Sequence, residues 1–184
     1  MEALLIAVST RTIRRFPIVA ALAAAFAFAA PAAAMACDNT YDEPGEVSLN
    51  ATEQATFCLL NVERTSRGIP ALRRNKRLDL ASERHARSMA AHKFFEHGNF
   101  VGRIRSAHYL SGVRSWRLGE NIAWGSGVLG TPAEIVDAWM HSPGHRANIL
   151  DRGFREIGIG IARGTPQRGL SDGGTYATDF GKRG

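Results

Sequence analysis

Apolar and polar positions alternate along this chain with two periods, one helical and one extended, and their order predicts a layered domain. After Asn50, which with Glu53 fits a helix N-cap and its acidic partner, Ala55, Leu59, Val62 and Ser66 recur at helical spacing. Arg67-Gly68, with Pro70 beyond, stops that helix. A second helix is predicted over Leu78–His92, with Leu78, Ala81, His85, Met89 and His92 along one stripe. It gives way to Phe94-Phe95 and the loop Glu96-His97-Gly98-Asn99, and a short helical turn follows near Gly102–Tyr109. Trp116 to Trp124 reads as extended and turns at Gly125 and Gly127. Thr131-Pro132-Ala133-Glu134 then supplies an N-cap, a first-turn proline and an acidic capping partner. The helix it opens buries Ile135, Val136, Trp139 and Met140 and breaks at Ser142-Pro143-Gly144. Two apolar runs, Ile157–Ala162 and Tyr176–Phe180, are separated by the turn Gly173-Gly174 and read as paired antiparallel strands. Helices followed by a small antiparallel sheet predict an α+β domain with no internal repeat.

One apolar run is not part of this pattern. Phe16 to Ala36 carries no charge, follows Arg11, Arg14 and Arg15, and ends in the small-x-small triplet Ala34-Met35-Ala36. Basic, apolar and cleavage regions in that order predict a secretory signal peptide over residues 1–36. The run is long enough to span a bilayer as an uncleaved anchor. Its alanine-rich composition and Pro31 weigh against that, and no stable membrane span is expected in the mature form. A lipoprotein signal before Cys37 would favour a leucine-like residue where Ala34 stands. The reading is therefore a secreted, extracellular protein, with a polar extension over 37–49 and one folded domain over 50–184.

The net charge is +6, and three arginines and one glutamate lie within the first 36 residues. What remains is mildly basic and scattered, except at Arg73, Arg74, Lys76 and Arg77. That cluster can meet acidic polymers or anionic lipid, but it reads first as a solvated loop. No nucleic-acid motif accompanies it. The two cysteines, Cys37 and Cys58, both lie beyond the predicted cleavage point, and in an exported protein such a pair is expected to form a disulfide. Closing a loop of this size stabilises a fold by roughly 3 kcal/mol in the chain-entropy picture.

Four segments carry a resemblance to a known family. They are Leu60-Asn61-Val62-Glu63-Arg64 with Gly68 and Leu72; Phe94-Phe95-Glu96-His97; Gly119-Glu120-Asn121-Ile122-Ala123; and the run from Trp139 through Ser142-Pro143-Gly144-His145-Arg146-Ala147-Asn148 to Leu150. Ile157-Gly158-Ile159-Gly160 and Asp179-Phe180-Gly181 also fit. The chain resembles the bacterial, SCP-like extracellular branch of the CAP superfamily, which includes cysteine-rich secretory, antigen-five and pathogenesis-related proteins. The resemblance implies an α-β-α sandwich with a small antiparallel sheet between helical layers. It also implies a cleft that gathers two histidines and two glutamates. Three of these map onto His97, Glu120 and His145, and Ser142 stands where the second glutamate is expected.

Two imidazoles and a carboxylate can hold Zn²⁺ or another divalent cation and leave one position for water. In that reading His97 and His145 are the ligands, and Glu120 either coordinates or orients one ring. The plain alternative is a hydrogen-bonded polar cluster. Other candidates have simpler explanations. His85 and His92 lie on a packed helix stripe, and a helix break separates His141 from His145. Glu134 caps a helix, Ser142 ends one, and Trp116, Trp124 and Trp139 fit a small core. The leading functional expectation is a secreted binding module for lipid, an envelope component or a protein. A metal-dependent hydrolase using the same residues is the second, and a structural domain without catalysis the third.

Overall fold

The structure is a computed structural model that describes residues 37–184; the predicted signal peptide lies outside the described residues. Helix α1 spans Leu49–Thr65 and is capped by Ser48, whose hydroxyl accepts from the Ala51 amide, rather than by Asn50. Its buried face is Thr52, Ala55, Thr56, Leu60 and Arg64, which is rotated from the apolar stripe expected. The apolar pattern missed this face because much of it is polar and internally satisfied. Thr56 Oγ1 donates to the Thr52 carbonyl, and the Arg64 guanidinium donates to the carbonyls of Pro70, Ile149 and Asp151. Asn61 exchanges two hydrogen bonds with the Leu72 backbone. The family-like Asn61 and Arg64 therefore fasten α1 to the chain at Leu72 and to the distant segment around Ile149 and Asp151.

The Arg73–Arg77 cluster is not a loop. Arg73–Arg74 form strand β1, Asn75 caps the next helix, and Lys76 and Arg77 open helix α2, Lys76–His92. Asn75 accepts from the Arg77 amide, and the helix ends at Lys93 in the left-handed conformation. His85 is buried, but His92 is exposed and turns back to the Ser88 carbonyl, because the last turn of α2 faces the core with Met89 and Ala90 instead. Helix α3, Phe100–Ser106, leads to strand β2, Trp116–Gly125. Helix α4, Pro132–His141, is capped by Thr131 as expected. Ser142 then adopts an extended conformation, and Pro143 opens a further helix, α5, Pro143–Leu150. The proline both breaks one helix and starts another, since its missing N–H costs nothing at a first turn.

Strand β3, Glu156–Arg163, and strand β4, Gly174–Arg183, complete a sheet of order β1-β3-β4-β2. The β3–β4 and β4–β2 pairs are antiparallel, whereas β1 runs parallel to β3, so the sheet is mixed. Ile157, Ile159 and Ile161 alternate onto one face, where Leu60, Trp139 and Ile149 of the α1, α4 and α5 layer complete the main core. On the other face Gly158 and Gly160 let α2 approach so closely that an added Cβ would lie 2.0 Å from the Leu78 carbonyl carbon and 2.1 Å from the Glu83 amide nitrogen. This is the α-β-α sandwich. A Cys37–Cys58 disulfide, with Cα atoms 5.7 Å apart, ties the N-terminal segment to α1. Among the described residues no helix is long and apolar enough to cross a membrane.

Candidate functional site

β2 is an edge strand, so helices of both layers reach it. Glu120 lies within it, opposite Asp179 of β4, with its side chain only 2% exposed. A carboxylate that dry needs partners for both oxygens, and it has them. His97, from the loop after α2, places Nδ1 2.7 Å from Oε1, while Arg103 of α3 donates to Oε2. The same guanidinium donates to the His97 carbonyl at 2.7 Å, so Arg103 fixes both the acid and the loop carrying the imidazole. The His97 side chain remains 53% exposed, so its other ring nitrogen lies on the solvent side of the cluster.

His145 comes from the first turn of α5. Asn121 donates to its carbonyl, and Asn148, one turn further on, donates to the Glu120 carbonyl and to Asn121 Oδ1. These three bonds join the Gly-Glu-Asn strand to the Pro-Gly-His-Arg helix, and they account physically for why the two motifs occur together. Burial lowers the His145 pKa from the ordinary imidazole value, and repulsion from nearby His97 lowers it further. Both effects favour the neutral ring, the form that ligates metal. His97 thus bonds Glu120 directly and its charge reaches His145, although 48 residues separate the two histidines.

Ser142 supplies no charge; it sits at the α4–α5 junction, and its carbonyl accepts from the Arg146 amide. A second carboxyl nevertheless lies beneath Glu120. Asp179 is fully buried, accepts from Ser82 Oγ at 2.8 Å, and has no hydrogen bond to Oδ1 among the described residues. Burial, and after it the charge of Glu120, push its carboxyl well above the usual range, toward the neutral form. The sequence offered Asp179 only within a family-like run, not as a site residue, and Arg103 not at all. Neither spacing nor periodicity marks them; the β2–β4 register delivers one and the docking of α3 the other.

The remaining candidates stand apart. His85 faces inward with Nε2 3.0 Å from the Glu96 carbonyl, and burial lowers its pKa. It lines, with Phe94 and Arg103, a depression of about 370 Å³ beside the His97 loop. His141 is exposed and turns back to Asp137. Trp139 is buried and donates to the Ile122 carbonyl, Trp124 is half-buried, and Trp116 is 45% exposed, so it is not a core residue. Trp116 lies where β2 begins, beyond the cover of either helical layer. Among the described residues no three His, Cys, Asp or Glu side chains stand where one metal ion could take all of them. Both Glu120 oxygens are engaged, and Oε1 holds the His97 ring through Nδ1.

A sandwich in which this edge strand is bonded to this proline-led helix is an SCP-type domain. The chain belongs to the CAP family, the cysteine-rich secretory protein family, whose model matches residues 57–178. It is 35% identical over 132 residues to the uncharacterized protein YkwD of Bacillus subtilis, covering 71% of this chain and 49% of that one. It is 27% identical over 127 residues to the uncharacterized membrane protein YlbC of the same organism, covering 66% and 35%. The chain therefore spans about half or less of the length of these curated relatives. Among solved structures it resembles an extracellular SCP-domain protein of Bacillus anthracis, with TM-score 0.58, 24% identity, and 71% and 40% of the two chains covered. It also resembles an outer surface protein of Borrelia burgdorferi, with TM-score 0.61, 18% identity, and 75% and 97% covered. Identities this low support the shared fold alone.

Proposed function

We propose that this chain is an exported CAP module that binds at the His97–Glu120–His145 cluster and does not hydrolyse what it binds. The observation that carries this reading is the engagement of both Glu120 oxygens, one with His97 and one with Arg103. A general base needs a lone pair open toward the proton it takes, and here a guanidinium and an imidazole cover the outward side of a carboxylate whose side chain is only 2% exposed. The same engagement turns His97 into a fixed donor, with one ring nitrogen anchored and the other available. A divalent cation such as Zn²⁺ would then be held by His97 and His145, with remaining positions open to water or to a group on a partner. The predicted signal peptide over residues 1–36 supports a place outside the cytoplasm. A lipid, an envelope component or a protein remains the class of partner for the cluster and the depression beside it.

Calorimetric titration with Zn²⁺ tests the reading on the wild type, His97→Ala and His145→Ala, at pH values of about 7.5 and about 5.5. Modest binding at the higher pH is expected, weakened at the lower pH as protons compete with the metal, and lost in both variants. Undiminished binding in both variants would remove the cation site. Release of product from peptide or ester substrates, abolished by the same variants, would overturn the non-hydrolytic assignment.

A further inference from the structure

One tight turn, Gly127–Gly130, joins β2 to α4, and its two middle residues are apolar. Val128 and Leu129 are 67% and 65% exposed. The turn cannot fold them inward, because the sheet holds it from below. The Tyr176 hydroxyl donates to the Gly130 carbonyl at 2.6 Å, and a Cβ on Gly125 would lie 2.0 Å from the Leu129 carbonyl oxygen. Tyr41, 76% exposed, belongs to the adjoining N-terminal segment. The chain on either side of it is held at the same corner. The Thr40 carbonyl accepts from the Ala133 amide at 2.9 Å, and the Glu43 carboxylate lies 3.9 Å from where a Cβ on Gly127 would stand.

These three are the most exposed large apolar side chains among the described residues; the rest are at most 45% exposed. Apolar residues scattered singly over a surface need no explanation, but the three most exposed ones gathered at one corner mark a contact surface. The same corner receives the chain from residues 1–36. Cys37 follows directly on the uncharged run Phe16–Ala36, and at most about 18 Å of extended chain separates Ala36 from Tyr41. The predicted export signal therefore leaves this corner at a lipid surface until the run is cut. Charge does not draw it there. Residues 37–48 hold Asp38, Asp42, Glu43 and Glu46 and no lysine or arginine.

We propose that this corner is a peripheral membrane contact, at which Tyr41, Val128 and Leu129 enter the boundary between headgroups and acyl chains of a lipid surface. Tyrosine suits that depth, with an apolar ring and a polar tip, while the two aliphatic side chains supply the attraction. The acids beside them gain nothing from anionic headgroups, so the contact is made with zwitterionic lipid and owes nothing to the net positive charge of the chain. A second copy is the poorer occupant. Two-fold pairing through this corner would set the four acids of one N-terminal segment against the same four of the other. The contact shares no residue with the histidine cluster, so it stands or falls independently of that reading.

Co-sedimentation of residues 37–184, which hold the whole described fold, with phosphatidylcholine vesicles and with vesicles enriched in phosphatidylglycerol tests the proposal. The protein should sediment with phosphatidylcholine, and raising the salt should not release it. Val128→Asp combined with Leu129→Asp should lower that binding by about tenfold or more, and Tyr41→Asp by about threefold or more. Trp116→Asp, at the opposite end of β2 and about 30 Å away, should leave it unchanged. Unfolding curves matching wild type would assign the losses to the contact. Equal binding in the double variant, or no binding of the wild type to phosphatidylcholine, would overturn the proposal. Binding confined to phosphatidylglycerol and abolished by salt would overturn it in favour of the basic residues. A concentration-dependent dimer lost in the double variant, without vesicle binding, would overturn it in favour of a second copy.

Discussion

Glu156 concentrates at one residue what several neighbours contribute. Asn75 and Tyr109 each donate to its carboxylate at 2.7 Å, and Arg183 pairs with it while lying over the Tyr109 ring. Burial raises its pKa, but these donors outweigh burial and leave the carboxyl below its usual range. A carboxyl depressed in the folded state contributes stability that is fully present above its unfolded pKa and is lost as pH falls through the folded one. Glu156→Gln should therefore cost about 1–2 kcal/mol at neutral pH. The deficit should close on acidification below the carboxylate range. Urea unfolding of both proteins at pH values of about 7 and about 3 measures it. A deficit that stays constant with pH would assign the loss to packing rather than charge.

Among the elements, α2 and β3 depend on each other through the two glycines between them. Gly160 lies against the α2 backbone, not against a movable side chain, so a methyl there must push the helix off the sheet. Gly160→Ala should destabilise by about 2–3 kcal/mol. Gly144→Ala, in α5 with nothing within 4 Å of the added carbon, should be neutral or stabilise by about 0.5–1 kcal/mol. Chemical denaturation of the pair checks this, and a comparable loss in both would contradict the close-approach account. Helix α4 was legible because cap and apolar spacing agreed, Thr131 with Ile135, and α2 was legible from its apolar stripe alone, its start at Lys76 and its Asn75 cap going unread. The true face of α1 was not, since Thr52, Thr56 and Arg64 are polar residues that bury only after finding carbonyls. Strand β1 was hidden for a related reason. Two arginines carry no strand signal, and only pairing with Glu156 and Ile157 makes them one. Helix α5 was masked by reading Pro143 as an end when it is also a beginning.

At the scale of the molecule, the candidate site exists only when α3, β2 and α5 are docked together. The sequence pointed to His97, Glu120 and His145 through the family resemblance; spacing alone would not have joined them. The groups that determine how they behave, Arg103 and Asp179, reach Glu120 through tertiary packing and strand register, which no local pattern encodes. The central claim is that Glu120 anchors His97 through Nδ1 and leaves its other ring nitrogen to act with His145. Nitrogen NMR of the histidine rings tests it most directly. Neutral His97 should carry its proton on Nδ1, and Zn²⁺ should shift the His97 Nε2 and His145 ring signals together while leaving exposed His141 unchanged. A His97 proton on Nε2, or Zn²⁺ perturbing neither ring, would contradict the account.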